Sequence, residues 1–350
     1  MDKYEFLELL TNGHGVSGFE YTLSKAVIDA FTPLCDSVKI DKMGNVIAHK
    51  KGSGDGAVKI MMAAHLDEIG FMVKYIEDNG FIRFTTIGGI DPRTTIGQEV
   101  WVHGVETILG VVGSKPPHLQ DAKEQEETIK LEDMIIDTGY SKEKLLELVS
   151  IGDTITVKRD TVKLLNTKAA GKAMDDRAGV AALLETLKML HGMNHYPDVY
   201  MVATVQEEVS MTGAFTSTYH IKPDIGIAVD VGFGTTPELE KADTIEIGKG
   251  PGITIGGNVH PTLVKRLFET GKVHGIPCQK DVAPGPTGTD ARAIQITKEG
   301  IPALVVSIPL RYMHTSVELL DLEDIHHTAR LLAQFTNSVK EGELEGLLCF

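Results

Sequence analysis

The spacing of apolar residues along the chain predicts helices in some segments and strands in others. Near the N-terminus apolar residues recur at helical spacing, which predicts short helices over residues 3–10 and 20–31. The run VKIMMAA at 58–64 is apolar without interruption and follows a Gly/Ser-rich turn. Such a run is typical of a strand at the centre of a sheet, where both faces are covered.

After Lys168 the pattern alternates between helices and strands. A long amphipathic helix is predicted from about Asp176 to His191, with Gly192 as a natural C-terminal stop. Beyond it, the predicted strands are 198–205, 224–230, 276–281 and 303–308, and the predicted helices are about 212–220, 260–274 and 321–340. This alternation indicates an α/β layer on a largely parallel sheet.

The segment between these two α/β regions has a different pattern. From Gly70 to about Val157, short strand-like stretches separated by glycines occur at 71–76, 81–87, 99–103, 108–112 and 154–158. Short strands at this spacing predict a small β-barrel or sandwich. Residues 121–133 carry six acidic residues against two lysines, which predicts a solvated or disordered loop.

We therefore expect one α/β domain that is interrupted by an inserted β domain. The predicted fold class is α/β, with a mixed, mostly parallel sheet flanked by helices and an inserted small β-barrel. Residues 1–68 and 167–350 are assigned to the α/β domain, and residues 69–166 to the insertion. At roughly 150 residues per domain, a chain of 350 residues fits two domains.

The composition is that of a soluble globular protein and limits its partners. Hydrophobic residues make up 42% and charged residues 24% of the chain, and the formal net charge is −15. Such an acidic chain is not expected to bind nucleic acid or an anionic membrane surface. No apolar run of roughly 18 residues predicts a membrane span, and the acidic N-terminus lacks a signal-peptide pattern.

The three cysteines are scattered along the chain. Cys35, Cys278 and Cys349 are odd in number and form no CxxC motif. This argues against a disulfide framework and against a thiolate zinc site, so free thiols are expected. With no signal-peptide pattern either, we expect a cytoplasmic protein.

Acidic residues and histidines cluster where the predicted strands end. The set comprises His65 and Asp67, Glu207 and Glu208, Asp230, His314 in a loop after the last strand, and Asp175 and Asp176 at the start of the long helix. Because ligands bind outside the carboxyl ends of strands in open α/β sheets, we expect these side chains to meet at one rim. Buried carboxylates need compensating positive charge, and imidazole with carboxylate suits zinc, cobalt or manganese.

Two short patterns in this set narrow the chemistry. In the HxD pair, strand alternation places His65 and Asp67 on the same side, so the carboxylate can orient an imidazole ligand. Adjacent residues of an extended chain point to opposite sides, so Glu207 and Glu208 are not expected to flank a glycosidic bond at ~5–9 Å separation. They can instead divide the work, one binding metal and the other facing a water.

Six motifs occur in one order along the chain: AHLDEIG (64–70), AMDDRAG (173–179), QEEVSMTGA (206–214), AVDV (228–231), GPTGTDA (285–291) and RYMHT (311–315). In this order they resemble the glutamyl-aminopeptidase-like, TET-type family of dinuclear metallo-aminopeptidases, some of which carry endoglucanase or cellulase labels. The resemblance covers essentially the whole chain, including the β insertion between the first two motifs.

The resemblance implies a site with two divalent metal ions, zinc or cobalt being expected. The implied roles are Asp175 as the bridge between the ions, Glu208 and His314 as further ligands of one, His65 and Asp230 as further ligands of the other, Glu207 as general base and Asp67 as the group that orients His65. The resemblance also implies a zinc-exopeptidase-like fold, a PDZ-like barrel, and a homo-oligomer such as a dodecamer built from dimers.

The predicted function is metal-dependent removal of N-terminal residues from peptides, with Glu207 as general base toward a metal-activated water. One alternative is a deacylase or carboxypeptidase-type amidohydrolase of the same architecture, and the insertion between His65 and Asp175 favours the aminopeptidase. A glycoside hydrolase is disfavoured by the Glu pair and by the single tryptophan. A non-catalytic scaffold would leave the clustered acidic residues unexplained.

Some residues keep alternative interpretations. His118 in KPPHL fits a structural or interface role, and His260 opens a helix whose start is explained by capping chemistry. Asp290 fits either a carboxylate that supports the site or a helix cap. Arg93 and Arg292 are candidates for a pocket that accepts an acidic side chain.

Overall fold

The structure is a computed structural model that describes residues 1–54 and 58–348. Its strands are β1 Ser37–Ile40, β2 Val46–Lys50, β3 Lys59–His65, β4 Gly70–Ile76, β5 Ile82–Ile87, β6 Glu99–His103, β7 Thr107–Gly113, β8 Ile135–Asp137, β9 Thr154–Val157, β10 Val162–Lys163, β11 Lys168–Gly171, β12 Asp198–Thr204, β13 Ile225–Phe233, β14 Gly252–Gly256, β15 Gln279–Ala283, β16 Ala303–Leu310 and β17 Glu318–Asp321. Its α-helices are α1 Lys3–Asn12, α2 Tyr21–Phe31, α3 Pro92–Thr95, α4 Ala122–Glu126, α5 Lys142–Leu148, α6 Met174–His191, α7 Glu207–Ser210, α8 Thr212–Ile221, α9 Pro261–Val273, α10 Asp290–Gln295, α11 Leu322–Ser338 and α12 Leu344–Leu348.

An eight-stranded mixed sheet forms the centre of the α/β part, in the order β1-β2-β12-β3-β13-β16-β14-β15. The four central strands β12, β3, β13 and β16 are parallel, and β14 pairs antiparallel with β16. Two groups of helices pack on this sheet: α6 with α1 and α11, and α8 with α10. The predicted mixed, mostly parallel sheet flanked by helices is therefore confirmed.

The central strand β3 explains why the sheet is so deeply buried. Its residues from Ile60 to His65 are almost completely inaccessible, as expected for an apolar run covered on both faces. In the parallel register Thr204 of β12 lies opposite His65. The carboxyl ends of β3 and β12 therefore lie level with each other at one edge of the sheet.

The inserted region folds as a closed six-stranded barrel, in the order β4-β5-β8-β7-β6-β9. It has a hydrophobic core of its own, in which Phe71 and Phe84 meet edge to face with ring centroids 5.0 Å apart. Its strands begin at Gly70 and end at Val157. The small inserted barrel is therefore confirmed, whereas domain boundaries at 68/69 and 166/167 stay a prediction.

Several elements differ in extent from the sequence prediction. The strand expected at 224–230 continues to Phe233, so Asp230 lies inside β13 rather than at its end. The strand expected at 303–308 continues to Leu310, and the one expected at 276–281 is β15, at Gln279–Ala283. The acidic segment 121–133 contains helix α4 and a 3-10 turn at Leu131–Asp133 instead of an unbroken loop.

Cys35 and Cys278 are free thiols, and Cys349 lies outside the described residues. Within the described ranges, no helix is both long and apolar enough to cross a membrane.

A buried ion cluster joins the first helices to the sheet beside the carboxyl end of β3. Glu68 accepts hydrogen bonds from Lys172 at 2.6 Å and from Arg177 at 3.0 Å, and all three side chains are buried. Arg177 also donates to the backbone carbonyls of Leu10, Gly13 and Leu66. Burial raises the pKa of Glu68, but the charges of Arg177 and Lys172 outweigh burial and hold that pKa below its ordinary value.

We predict that Arg177→Met lowers the free energy of unfolding by about 3–5 kcal/mol, because it leaves buried Glu68 with half of its compensating charge. Urea unfolding followed by circular dichroism measures the change. In the matched control Lys25→Met, the lost partner is Asp29 in an exposed pair (83% and 61% accessible side chains), and the cost should stay below about 1 kcal/mol. Equal losses in the two variants would contradict the role given to the cluster.

Candidate metal centre

The predicted acidic residues and histidines come together at the carboxyl edge of the central strands. His65 is the last residue of β3, and Asp230 lies in the neighbouring β13. Asp175 lies at the start of α6, where it and Asp176 depart from helical dihedral angles. Extending the β3–β13 register by two residues from Ala63–Ala228 places Asp230 level with His65. The sheet thus fixes two of these residues and the start of α6 supplies the third.

His65, Asp175 and Asp230 form one group of possible metal ligands. The side chains are buried, and one ligand atom from each lies within 4.8 Å of the others. Nε2 of His65 is 3.0 Å from Oδ1 of Asp175. These three residues can therefore present one imidazole nitrogen and two carboxylates to a single cation.

Asp175, Glu208 and His314 form a second group with the same chemistry. Nε2 of His314 is 3.3 Å from Oδ2 of Asp175 and 3.4 Å from Oε1 of Glu208. Asp175 thus belongs to both groups, and its two oxygens face different histidines.

Both histidines are oriented by a backbone carbonyl. Nδ1 of His65 lies 3.1 Å from the carbonyl oxygen of Asp67, and Nδ1 of His314 lies 2.8 Å from that of Gly89 in the inserted region. A hydrogen bond at Nδ1 leaves Nε2 to face the carboxylates, which is the usual arrangement for histidine ligands. The Asp67 carboxylate, expected to orient His65, lies 3.7 Å from Nδ1, farther than its own backbone oxygen.

The Asp67 carboxylate instead holds the glutamate pair. Its two oxygens accept hydrogen bonds from the backbone N–H groups of Glu207 and Glu208, each at 3.0 Å. The extended conformation assumed for this pair is wrong, because Gln206 adopts a left-handed conformation (φ 59°) and the two glutamates open the short helix α7. Glu208 belongs to the second ligand group, and Oε2 of Glu207 lies 4.0 Å from Nε2 of His65.

Two further acidic residues support the site, and neither was given a role from the sequence. Asp176 accepts hydrogen bonds from the N–H groups of His65 and Gly179, and a Cβ at Gly179 would clash with its carboxylate. Glu318 accepts from the N–H groups of Asp175 and His314. Asp176 stood out only as the neighbour of Asp175, whereas no spacing or motif marks Glu318.

The electrostatics of the site call for cations. Burial raises the pKa of Asp230 well above its ordinary value and that of Glu207 to about 10. Hydrogen bonds to Asp175 and Glu208 raise the pKa of His314 to about 11. The carboxylates therefore outnumber the positive charge that the two histidines can supply. Buried imidazole and carboxylate donors in this proportion fit divalent cations of the zinc and cobalt type.

The three residues with alternative interpretations, Asp290, His118 and His260, have different surroundings in the structure. Asp290 is buried and accepts a 2.5 Å hydrogen bond from Thr204, while Thr289 caps α10, so Asp290 is not the cap. His118 is exposed in the turn Pro117–Leu119, and neither it nor His260 belongs to the two ligand groups found among the described residues.

The two candidate arginines also differ in position. Arg292 lines a cleft that starts at Glu207 and Glu208, together with Phe215. Arg93 is hydrogen-bonded to neighbouring Asp91 at the surface of the inserted region.

An α/β sheet with imidazole and carboxylate donors at its carboxyl edge is suited to a metal-binding enzyme. The chain belongs to the M42 glutamyl aminopeptidase family, whose family model matches residues 44–331. It is therefore a metal-dependent aminopeptidase, and the family resemblance found in the motifs is confirmed. A glycoside hydrolase has no support from this match.

The similarity extends over whole chains. The lysyl aminopeptidase of Pyrococcus furiosus is 39% identical over 345 residues, which cover 97% of this chain and 98% of the relative. The aminopeptidase APDkam598 from the archaeon Desulfurococcus kamchatkensis superposes with a TM-score of 0.93 at 36% identity, covering 99% and 98% of the two chains. The TET1 peptidase of Pyrococcus horikoshii gives 0.85 at 32% identity, covering 97% and 100%.

We predict that zinc or cobalt added to chelator-treated protein raises its thermal unfolding temperature, because a cation that binds only the folded site shifts unfolding by mass action. At a free metal concentration 100-fold above Kd, each site would contribute about 2.7 kcal/mol. Differential scanning fluorimetry measures the shift. The double variant with His65→Ala and His314→Ala should lose it, and His118→Ala should keep it. An undiminished shift in the double variant would place the metal elsewhere.

Proposed function

We propose that this aminopeptidase binds two divalent cations bridged by Asp175 and uses Glu207 as its general base. One observation carries the proposal: Oδ1 of Asp175 faces His65 and Oδ2 faces His314. A carboxylate whose two oxygens serve two separate ligand groups is suited to bridge two ions. Glu208 and His314 would complete one ligand set, and His65 and Asp230 the other.

Zinc or cobalt is the expected metal, because both groups combine nitrogen and oxygen donors without sulfur. When bound, a pair of such cations lowers the pKa of water and polarises the carbonyl of the peptide bond. The chain's own residues then have to hold the ligands in place and move the proton.

Glu207 is suited to the proton transfer by its position and by its unused oxygen. Its backbone is fixed by the hydrogen bond to Asp67, and Oε1 is buried with no hydrogen-bond partner among the described residues. Burial raises the pKa of this carboxyl group, and cationic charge beside it would favour the ionised form that accepts a proton. Glu207 would take the proton from the attacking water and return it to the leaving amine.

The substrate that fits this site is a peptide with a free amino terminus. A free α-amino group could be held at the rim by a bound cation together with a neighbouring carboxylate, whereas an internal peptide bond offers no such group. The cleft that continues past the glutamates is lined by apolar Val209, Met211 and Phe215 and by cationic Arg292. This lining suits an apolar or an acidic side chain of the substrate.

We also propose that the protein forms a homo-oligomer. The TET1 peptidase of Pyrococcus horikoshii can assemble into a tetrahedron or a large octahedral shell, and its chain superposes along almost the full length of this one. The outer face of β7 presents exposed Leu109 and Val111, which are apolar positions suited to a protein contact. A PDZ-like role of the barrel in a dodecamer built from dimers is the corresponding hypothesis.

We predict that Glu207→Gln lowers kcat on a leucine anilide or a leucyl peptide by about 10²–10⁴-fold and leaves the bound metal at two ions per chain. The amide keeps the size of the side chain but cannot accept and return the proton. Steady-state kinetics and elemental analysis of the same sample measure both quantities. Glu106→Gln, at an exposed turn between β6 and β7, is the matched control and should keep full activity. Full activity in Glu207→Gln would remove this residue from the chemistry.

We further predict that acetylation of the substrate's amino group abolishes hydrolysis, because it removes the free amine that the rim is proposed to hold. Matched pairs of free and N-acetylated leucyl peptides, assayed by chromatography of the products, measure the effect. Hydrolysis of N-acyl amino acids in preference to the free peptides would instead support the deacylase alternative.

A further inference from the structure

Three buried carboxylates that lie outside both ligand groups hold the backbone of residues that lie inside them or beside them. Asp67 accepts from the N–H groups of Glu207 and Glu208, and Asp176 accepts from that of His65. Glu318 accepts from Asp175 and His314. Glu318 thus links two members of the second ligand group, Asp175 and His314. The distance between these two residues decides whether both can bind the same ion.

The Glu318 carboxylate connects two segments of the chain by accepting one backbone hydrogen bond from each. The residue is 2% exposed, Oε1 accepts from the His314 N–H at 2.8 Å, and Oε2 accepts from the Asp175 N–H at 3.1 Å. Asp175 is 143 positions away along the chain, whereas His314 is four positions away. One carboxylate therefore fixes the start of α6 and the loop after β16 relative to each other.

The loop that carries His314 depends on such support. Tyr312 and His314 both have left-handed backbone conformations, at φ 58° and 61°, which L side chains adopt only when their surroundings hold them. Arg311 and Leu319 exchange backbone hydrogen bonds and close the base of the loop. Inside the closed loop, the His314 N–H points to Glu318.

The strand pairing of Glu318 also connects it to the chain segment that leads to Asp175. Glu318 is the first residue of β17 and lies opposite Gly171 in the antiparallel β11–β17 pair. Gly171 ends β11, and the chain reaches Asp175 four residues later. The β11–β17 pairing and the Glu318 carboxylate together fix the positions of Asp175 and His314. Among the described residues, no backbone strand pairing joins the loop that carries His314 to Asp175.

We propose that Glu318 is a positioning residue that assembles the Asp175–Glu208–His314 ligand group by holding two backbone N–H groups at once. The inference rests on the proposed two-cation function. We expect the loss of Glu318 to weaken the Asp175–Glu208–His314 site more than the other site, because both of its donors belong to that group. The His65–Asp175–Asp230 group shares only Asp175, and its other two members are held by β3 and β13.

The carboxylate form of the side chain matters in this arrangement. Two acceptor oxygens match two donors, whereas a glutamine would turn its own NH₂ group toward one of the N–H groups. An aspartate would keep both oxygens but is shorter by one methylene group. Loss of a residue that orients metal ligands typically lowers metal affinity by about 10–100-fold.

The test is a competition titration of chelator-treated protein with zinc or cobalt, followed by calorimetry and by the visible absorption of bound cobalt. Glu318→Gln should weaken one of the two sites by about 10-fold or more and weaken the other, which shares Asp175, by a smaller factor. Asp321→Asn is the matched control: this carboxylate lies on the same strand, pairs with Lys168 and caps α11. Among the described residues it belongs to neither ligand group. This variant should bind both ions as the unaltered protein does.

A second pair of variants identifies the weakened site. If Glu318 acts on the His314 site, then Glu318→Gln should weaken metal binding less when it is added to His314→Ala than it does in the otherwise unaltered protein. Where Glu318→Gln does not fold, Glu318→Asp carries the same comparison with a smaller expected loss.

Two results would overturn the inference. In a protein that binds two ions, unchanged metal affinities in Glu318→Gln would show that the two hydrogen bonds of Glu318 are not needed to position the ligands. Equal weakening of both sites, with a lower unfolding temperature of the metal-free protein, would reduce Glu318 to a general stabilising role. A different failure, an unaltered protein that binds fewer than two ions, would overturn the proposed function and this inference with it.

Discussion

The charge imbalance at the carboxyl edge of the central sheet is the constraint on which the rest of the site depends. Asp175, Asp230 and Glu207 are buried within reach of a single buried histidine, His65, and of the more accessible His314. A folded protein tolerates such a cluster only when cations, protons or hydrogen bonds offset the repulsion between its carboxylates. The fold offers hydrogen bonds to the supporting carboxylates and leaves the ligand oxygens facing each other, which is what a metal centre requires.

The supporting hydrogen bonds make the site rigid because they end on the backbone. Asp67, Asp176 and Glu318 each receive two N–H groups, and at least one donor in each case belongs to a proposed ligand or base. These backbone groups sit where strands give way to helices or loops and where no sheet partner can take them. The same interactions therefore satisfy buried backbone N–H groups near the ends of strands and helices and set the positions of the functional side chains. The inserted barrel takes part through the carbonyl of Gly89, which orients His314.

Much of this could be predicted from the sequence, because strand ends are marked by hydrophobic patterning and metal ligands by residue type. The alternation of strands and helices after Lys168 and the short strands of the insertion gave the fold class. The conformation of the Glu207–Glu208 pair could not be predicted, since it depends on the left-handed turn at Gln206. The role of Glu318 could not be predicted, because an acidic residue that accepts hydrogen bonds from backbone N–H groups has no characteristic spacing or motif. Its partners come together only in the folded chain.

Anomalous diffraction at the metal absorption edge, from crystals of the zinc-loaded protein, tests the bridged centre most directly. A centre bridged by Asp175 should give two peaks per chain, about 3.5–4 Å apart, with one oxygen of Asp175 directed at each. One peak would lie beside His65 and Asp230 and the other beside Glu208 and His314. A single peak, or two peaks that do not share Asp175, would contradict the bridged centre and the roles assigned to the residues around it.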